Sequence, residues 1–197
     1  MPEIIAWAAV VLVSTTATGL LLTRDWRWSL GLLSAQYVGT AALVAQHWPL
    51  GMAAAKLVAG WIATAALGMT VSAMPSPPAG SLASWPEGRV FRSLMAGMVF
   101  ILAAVLTPRI QGVISGVGAP VIAGTIMLIG IGWLQLGSSD EVRRIVIGLL
   151  TVLAGFEAFY AAVEGSILVA GMLAVITLGL GLVGAYLLSA SQAQESP

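Results

Sequence analysis

The chain has 197 residues, 59% of them hydrophobic and 8% charged, with eight basic and eight acidic side chains and a formal net charge of zero. A soluble domain carries roughly 25% charged residues, so this chain lacks the groups to clothe a water-facing surface and its solvent is largely lipid. The balanced charge offers nothing to nucleic acid. The absence of cysteine excludes thiolate metal sites, thiol catalysis and disulfides.

A helix needs about 20 mostly apolar residues to cross the hydrocarbon core of a bilayer. Seven stretches meet or approach that length. The start, Met1-Pro2-Glu3, is acidic and lacks the positive n-region of a signal peptide, so the first run, residues 4–23, is expected to stay as a helix. It stops at Arg24-Asp25-Trp26-Arg27. The second, residues 28–46, ends at His47-Trp48-Pro49, and the third covers residues 50–73. Residues 74–90 are polar and rich in proline, glycine and serine, which predicts a linker. The fourth run, residues 91–107, is short and is expected to end at Pro108-Arg109. The fifth spans residues 117–136 and is followed by a charged turn at 138–144. The sixth covers residues 145–163 and the seventh residues 165–188, before a polar tail.

Counting seven crossings sorts the arginines. Arg24, Arg27, Arg89, Arg92, Arg143 and Arg144 fall on one side and Arg109 alone on the other. Cytoplasmic loops carry the positive excess, so the N-terminus is expected outside and the C-terminus in the cytoplasm, in the inner (plasma) membrane. Trp26, Trp28 and Trp85 then fall at the inner interface and Trp7 and Trp48 near the outer one, depths that tryptophan prefers. Trp61, in mid-helix, is expected to be ordinary packing.

Shifting the chain by about 117 residues lays Arg27-Trp28-Ser29-Leu30-Gly31-Leu32-Leu33-Ser34 over Arg144-Ile145-Val146-Ile147-Gly148-Leu149-Leu150-Thr151. An arginine opens both, the glycine stays in register, and a tight outer turn follows each helix, at 46–49 and at 164–166. The expected architecture is therefore an all-α integral membrane bundle of about seven transmembrane helices. Residues 1–73 form one three-helix repeat and residues 117–197 a second, parallel one with a short tail. Residues 74–116 supply the loop and a linker helix that makes both repeats point the same way. Same-direction repeats occur among transporter folds.

A charged side chain near the bilayer centre costs about 2.5–3.5 kcal/mol on insertion scales, so it persists only with a partner, a watery cavity or a function. Lys56 and Glu157 each lie about two turns inside the outer end of their helix, taking about 1.5 Å rise per residue. They share a depth and are placed to pair. Lys56 either shapes a proton or sodium path or snorkels to the outer interface. Glu157 is either a relay carboxylate or a static partner for Lys56 or for another subunit. Gln36, mid-membrane in the second helix, faces protein and either bonds across helices or joins a wire of polar groups. Glu164 and His47, at outer turns, are expected to meet water. His47 is the single histidine and cannot build a metal site without several carboxylates beside it. Gly171, Gly179, Gly181 and Gly184 in the seventh helix and Ala53, Ala54 and Ala55 in the third mark close-packing faces. Gly112 and Gly116 are expected in a loop. No phosphate-binding loop, metal-ligand cluster or nucleophile–base arrangement appears, so no catalytic residue, cofactor or metal site is expected.

Thr18-Gly19-Leu20 with Arg24, followed by Arg27 through Gln36, resembles the first-loop and second-helix region of the K subunit of respiratory complex I. The stretch is more similar to the E component of group-4 membrane-bound hydrogenases, which is related to that K subunit and to the C subunit of Mrp-type antiporters. The spacing of Ser29, Gly31 and Gln36, the early lysine of the third helix (Lys56), and Arg143-Arg144 with Gly148 and Gly155 carry the likeness. It implies a non-catalytic membrane subunit lying beside antiporter-like subunits, where it helps carry protons or sodium laterally while partners perform the redox chemistry. The family's buried glutamate falls on Leu33 here and its second-half counterpart on Leu153. The acidic positions of the seventh helix fall on Ala170 and Ile176. A leucine holds no proton, so either Glu157, one turn on, replaces the lost carboxylate or the subunit scaffolds. A stand-alone small transporter and a purely structural assembly subunit are the other readings; few intramembrane polar groups are left to form a transporter's substrate site.

An odd number of crossings gives a direct test. With no native cysteine, single cysteines placed at Glu3 and at Ser191 are expected to react with an impermeant maleimide from opposite faces of sealed membranes, the first from outside. Labelling of both from one face would remove a crossing.

Overall fold

The computed structural model describes residues 3–23, 25–73, 86–114, 116–138 and 141–195. Within them the chain forms seven helices and no strand: α1 (Glu3–Leu22), α2 (Trp26–Val44), α3 (Leu50–Ser72), α4 (Pro86–Val113), α5 (Ala119–Gly137), α6 (Val142–Val163) and α7 (Ile167–Glu195). Six of them, all but α2, are long and apolar enough to cross a membrane. Lipid offers no hydrogen bonds to backbone groups, and helices satisfy theirs internally. α2 is the exception because Ser29, Gln36, Tyr37 and Thr40 dilute its apolar character. All four are buried between neighbouring helices, while Trp28 and Val38 stay exposed on its outer side.

The local breaks follow from the residues at them. Asp25 caps α2 by accepting from the Arg27 backbone N–H at 2.9 Å. Pro49 sits at the start of α3, and Pro120 lies in the first turn of α5, positions where a missing N–H is harmless. The fourth helix departs from expectation. It starts at Pro86 and continues through Pro108 to Val113. Proline removes one helical N–H, the partner of the carbonyl four residues earlier, and the helix continues past it all the same; neighbouring helices make such a proline tolerable in a membrane span. The helix does not stop at Thr107. Gly112 is helical rather than in a loop, whereas Gly116 lies beyond the helix with a positive φ of 101°, a conformation that costs glycine little. Most of the expected linker, with Trp85, and Arg24 lie outside the described residues.

Glycines and alanines decide how the helices approach, as they do in lipid generally. A Cβ at Gly60 on α3 would sit 2.3 Å from the Tyr37 ring of α2, so the ring lies flush on the α3 backbone. Gly132 and Gly155 do the same between α5 and α6, against Val152 and Leu128. Gly181 and Gly184 press α7 onto Ala63 and Leu67 of α3. Gly171 and Gly179 have nothing within 4 Å of a built Cβ, so only half of the predicted glycine face is packed.

These contacts also give directions. α1 lies antiparallel to α2 (Gly19 on Leu32, Gly39 on Val13), α2 to α3, α5 to α6, and α6 to α7 (Gly184 on Val146). Between the two groups the sense is parallel. Gln135 of α5 reaches Ala17 of α1, 118 positions away, and Gln36 of α2 reaches Thr151 of α6, 115 positions away. Trp48, after α2, reaches Glu164, after α6, 116 positions away. α3 and α7 run side by side in the same sense through Ala63–Gly181 and Leu67–Gly184. The chain thus makes two three-helix layers, α1–α2–α3 and α5–α6–α7, laid face to face in order. α4 runs along α5 and α1, with Val99 on Gly130 and Arg92 donating to the Ser138 carbonyl.

Arg92, Arg143 and Arg144 gather at one end of the bundle. Arg144 donates to the Thr23 carbonyl at 3.0 Å, and both Arg143 and Arg144 pair with Glu141. Trp61 differs from expectation. It is 47% exposed, with its ring on the lipid-facing side of α3, and its indole N–H donates to the Ser34 carbonyl at 3.1 Å. That bond lets a tryptophan face hydrocarbon without an orphaned donor.

The Gly60–Tyr37 contact is testable. Gly60→Ala is expected to destabilise the detergent-solubilised protein by about 1–3 kcal/mol through overpacking, measured by thermal unfolding. Gly51→Ala, where a Cβ meets nothing within 4 Å, is expected to be neutral or slightly stabilising.

Candidate functional site: a buried ion pair beside a cleft

The structure brings Lys56 and Glu157 together. Lys56 is the chain's only lysine. It lies one and a half turns into α3, and Glu157 lies two turns before the end of α6. Lys56 is 7% exposed and Glu157 2%. The ammonium and carboxylate form a direct salt bridge, with the Lys56 Nζ on Glu157 Oε2. Glu157 Oε1 accepts from the Thr177 hydroxyl of α7 at 3.1 Å. Thr177 also lies 3.0 Å from the Leu173 carbonyl. The Lys56 Nζ stands 5.4 Å from the centre of the Tyr37 ring, close enough for a cation–π attraction. Four helices therefore hold one charge pair: α3 the cation, α6 the anion, α7 a hydroxyl and α2 an aromatic face. Snorkelling is excluded for Lys56, because its head group points inward to a partner.

The arrangement follows from packing. Gly60 lets Tyr37 lie against α3 one turn from Lys56. Ala53, Ala59 and Ala63 keep the inner face of α3 small. On α6, Ala154, Ala158 and Ala161 flank Glu157 and leave room for the ammonium. Glu164 and His47 are exposed at their turns, as expected. Trp48, at the turn after α2, is buried against protein. Its indole N–H donates to the Glu164 carbonyl at 2.9 Å, and its ring meets Tyr160 edge-on at 6.3 Å. The turns after α2 and α6 are tied together through that bond.

Gln36 is fully buried and separate from the pair. Its amide N–H donates to the Thr151 hydroxyl at 3.3 Å, and Thr151 in turn bonds the Ile147 carbonyl. Among the described residues no group hydrogen-bonds the Gln36 side-chain carbonyl oxygen. Leu33, where the resemblance calls for a carboxylate, is fully buried in apolar surroundings.

Beside the pair, between the first halves of α3 and α7, is a cleft of about 160 Å³. Lys56, Glu157 and Thr177 form its polar floor, and Met52, Ala55, Ala170 and Gly171 line its walls. Thr177, Tyr37 and this cleft are the parts that the sequence reading missed. Thr177 carried one signal, a hydroxyl in an otherwise apolar run placed opposite Glu157 across the α6–α7 hairpin.

Among the described residues no group of three metal-ligating side chains occurs. The fold and site define a multi-pass helical membrane protein with a charge pair embedded between four of its helices. Comparison with protein-family models, curated proteins and solved structures returned no match.

The pair predicts a non-additive response. Removing one member of a buried pair typically costs about 3–5 kcal/mol, because the other charge is stranded, while replacing both with apolar groups is often nearly neutral. Lys56→Met and Glu157→Leu are each expected to destabilise by about that amount in detergent unfolding assays. The double variant is expected to recover most of the loss. Additive losses would mean that the charges act separately.

Proposed function

We propose that the chain is a non-catalytic subunit of a complex-I-like or group-4 hydrogenase-like membrane assembly. It scaffolds that assembly and assists proton or sodium translocation beside antiporter-like subunits. One observation carries the reading: the only lysine is held inside the apolar bundle by Glu157, at a position where the resemblance implies an ion-path charge. A scaffold alone has no need of that charge, since apolar packing stabilises a bundle at least as well. The pair biases a neighbouring path electrostatically, through a medium where charges interact far more strongly than in water. Glu157, one turn beyond Leu153, stands in for the carboxylate that the family places there.

The same proposal includes seven crossings, an outside N-terminus, a cytoplasmic C-terminus and a duplicated three-helix unit. Its support is the parallel laying of α1 on α5, α2 on α6 and α3 on α7; the hydrogen bonds joining α1 to α5, α2 to α6 and the turns after α2 and α6 link residues 118, 115 and 116 positions apart. Those offsets bracket the shift that aligns the Arg27 and Arg144 motifs. The gathering of Arg92, Arg143 and Arg144 at one end supports the sidedness.

The test is purification of the tagged chain from its native membrane, followed by ion pumping in sealed vesicles. The expected result is co-purification with larger membrane subunits. Lys56→Ala and Glu157→Gln are each expected to slow pumping by about tenfold, equivalent to 1.4 kcal/mol on the barrier, with the assembly intact. Unchanged pumping would reduce the role to scaffolding. A chain that purifies alone and transports a solute would replace the proposal with a stand-alone carrier.

A further inference from the structure

The cleft between α3 and α7 goes beyond the subunit reading and stands whether or not the chain helps conduct ions. α3 and α7 touch tightly in their second halves, where a Cβ on Gly181 would lie 2.6 Å from Ala63 and one on Gly184 would lie 3.1 Å from Leu67. Further toward the start of α7 they part, and Gly171 has open space on its free side. Ile167, the first residue of α7, also lines the cleft and is 74% exposed. The opening therefore lies near the turn after α6, at the level of the lipid interface, where amphiphiles collect.

The contents of the cleft define the visitor. Its volume of about 160 Å³ matches cavities of about 150 Å³ that take up a single benzene ring. Met52, Ala55, Ala170 and Gly171 present an apolar wall. Glu157 is already engaged by Lys56 and Thr177. An ammonium carries three N–H donors. The carboxylate takes one and the Tyr37 face lies beside the ammonium, which leaves a donor for an oxygen in the cleft. Because the ammonium and carboxylate neutralise each other, a charged ligand would leave a net buried charge, and a neutral one would not.

We propose that this cleft binds a small uncharged amphiphile from the membrane: a ring-sized apolar body with one oxygen that accepts a hydrogen bond from Lys56. Thr177 and Ala59 mark its inner end, and Gly171 leaves the entrance clear. The end of a phospholipid acyl chain is the competing occupant, but it brings no oxygen to the polar floor.

The test uses the full chain in lipid nanodiscs and fluorine NMR. Para-fluorobenzyl alcohol is the probe and para-fluorotoluene, which lacks the oxygen, the comparator. Empty nanodiscs correct for partition into lipid. The alcohol is expected to show saturable, protein-dependent binding at least about tenfold tighter than the toluene, the worth of one hydrogen bond to a charged donor. Gly171→Leu, whose Cβ would meet nothing within 4 Å and whose branched end would occupy the entrance, is expected to abolish it. Gly97→Leu on α4, another glycine with open space around it, is expected to leave it unchanged. Equal, non-saturating partition of the two probes would overturn the proposal, as would undiminished binding in Gly171→Leu. A phospholipid that co-purifies with the protein, is lost in Gly171→Leu and blocks the alcohol would assign the cleft to an acyl chain instead.

Discussion

An ammonium ion inside a hydrocarbon-facing bundle governs the organisation around it. A charge there is costly unless it is paired, and Glu157 pairs with Lys56. The carboxylate then needs its second oxygen satisfied, and Thr177 supplies the hydroxyl. The free face of the ammonium lies toward the Tyr37 ring. Each requirement recruits another helix. α2, α3, α6 and α7 are bound to one another by the chemistry of a single residue.

Close backbone approach makes this possible. Helices in lipid gain little by burying apolar surface against each other, since lipid tails are equally apolar; they associate where small residues let them pack tightly. Gly60 admits the Tyr37 ring, Gly132 and Gly155 seat α5 on α6, and Gly181 and Gly184 bring α7 onto α3. Where the glycines of α7 are not packed, at Gly171, the helices part and the cleft forms. Tight and loose segments of one helix pair thus produce a polar floor beneath an opening of ring size.

The two layers are held at both ends and in the middle by polar links between them. Arg144 reaches Thr23 at one end, Gln36 meets Thr151 in the middle, and Trp48 reaches Glu164 at the other. Each is buried or partly buried, where a hydrogen bond is strengthened by low dielectric. They hold the layers in register, and that register sets Lys56 at the height of Glu157.

Length and apolar content made the helices legible in the sequence, because crossing a bilayer imposes about 20 apolar residues on any chain that does it. The isolated charges in those runs singled out Lys56, Glu157 and Gln36 for the same reason: lipid makes an unpaired charge costly wherever it stands. The sequence did not reveal that α4 passes through Pro108, since a proline ends a helix in one tertiary setting and is tolerated in another. Nor did it reveal that Trp48 turns inward while Trp61 turns out, because helical spacing alone does not say which neighbour covers a face. Depth along a helix can be counted from one end of a sequence, but rotation and lateral neighbours depend on where other helices come close. The membrane class and the shared depth of Lys56 and Glu157 were therefore determined by the sequence itself. Their meeting, the help of Tyr37 and Thr177, and the cleft beside them were decided only when glycine-lined surfaces brought four helices into contact.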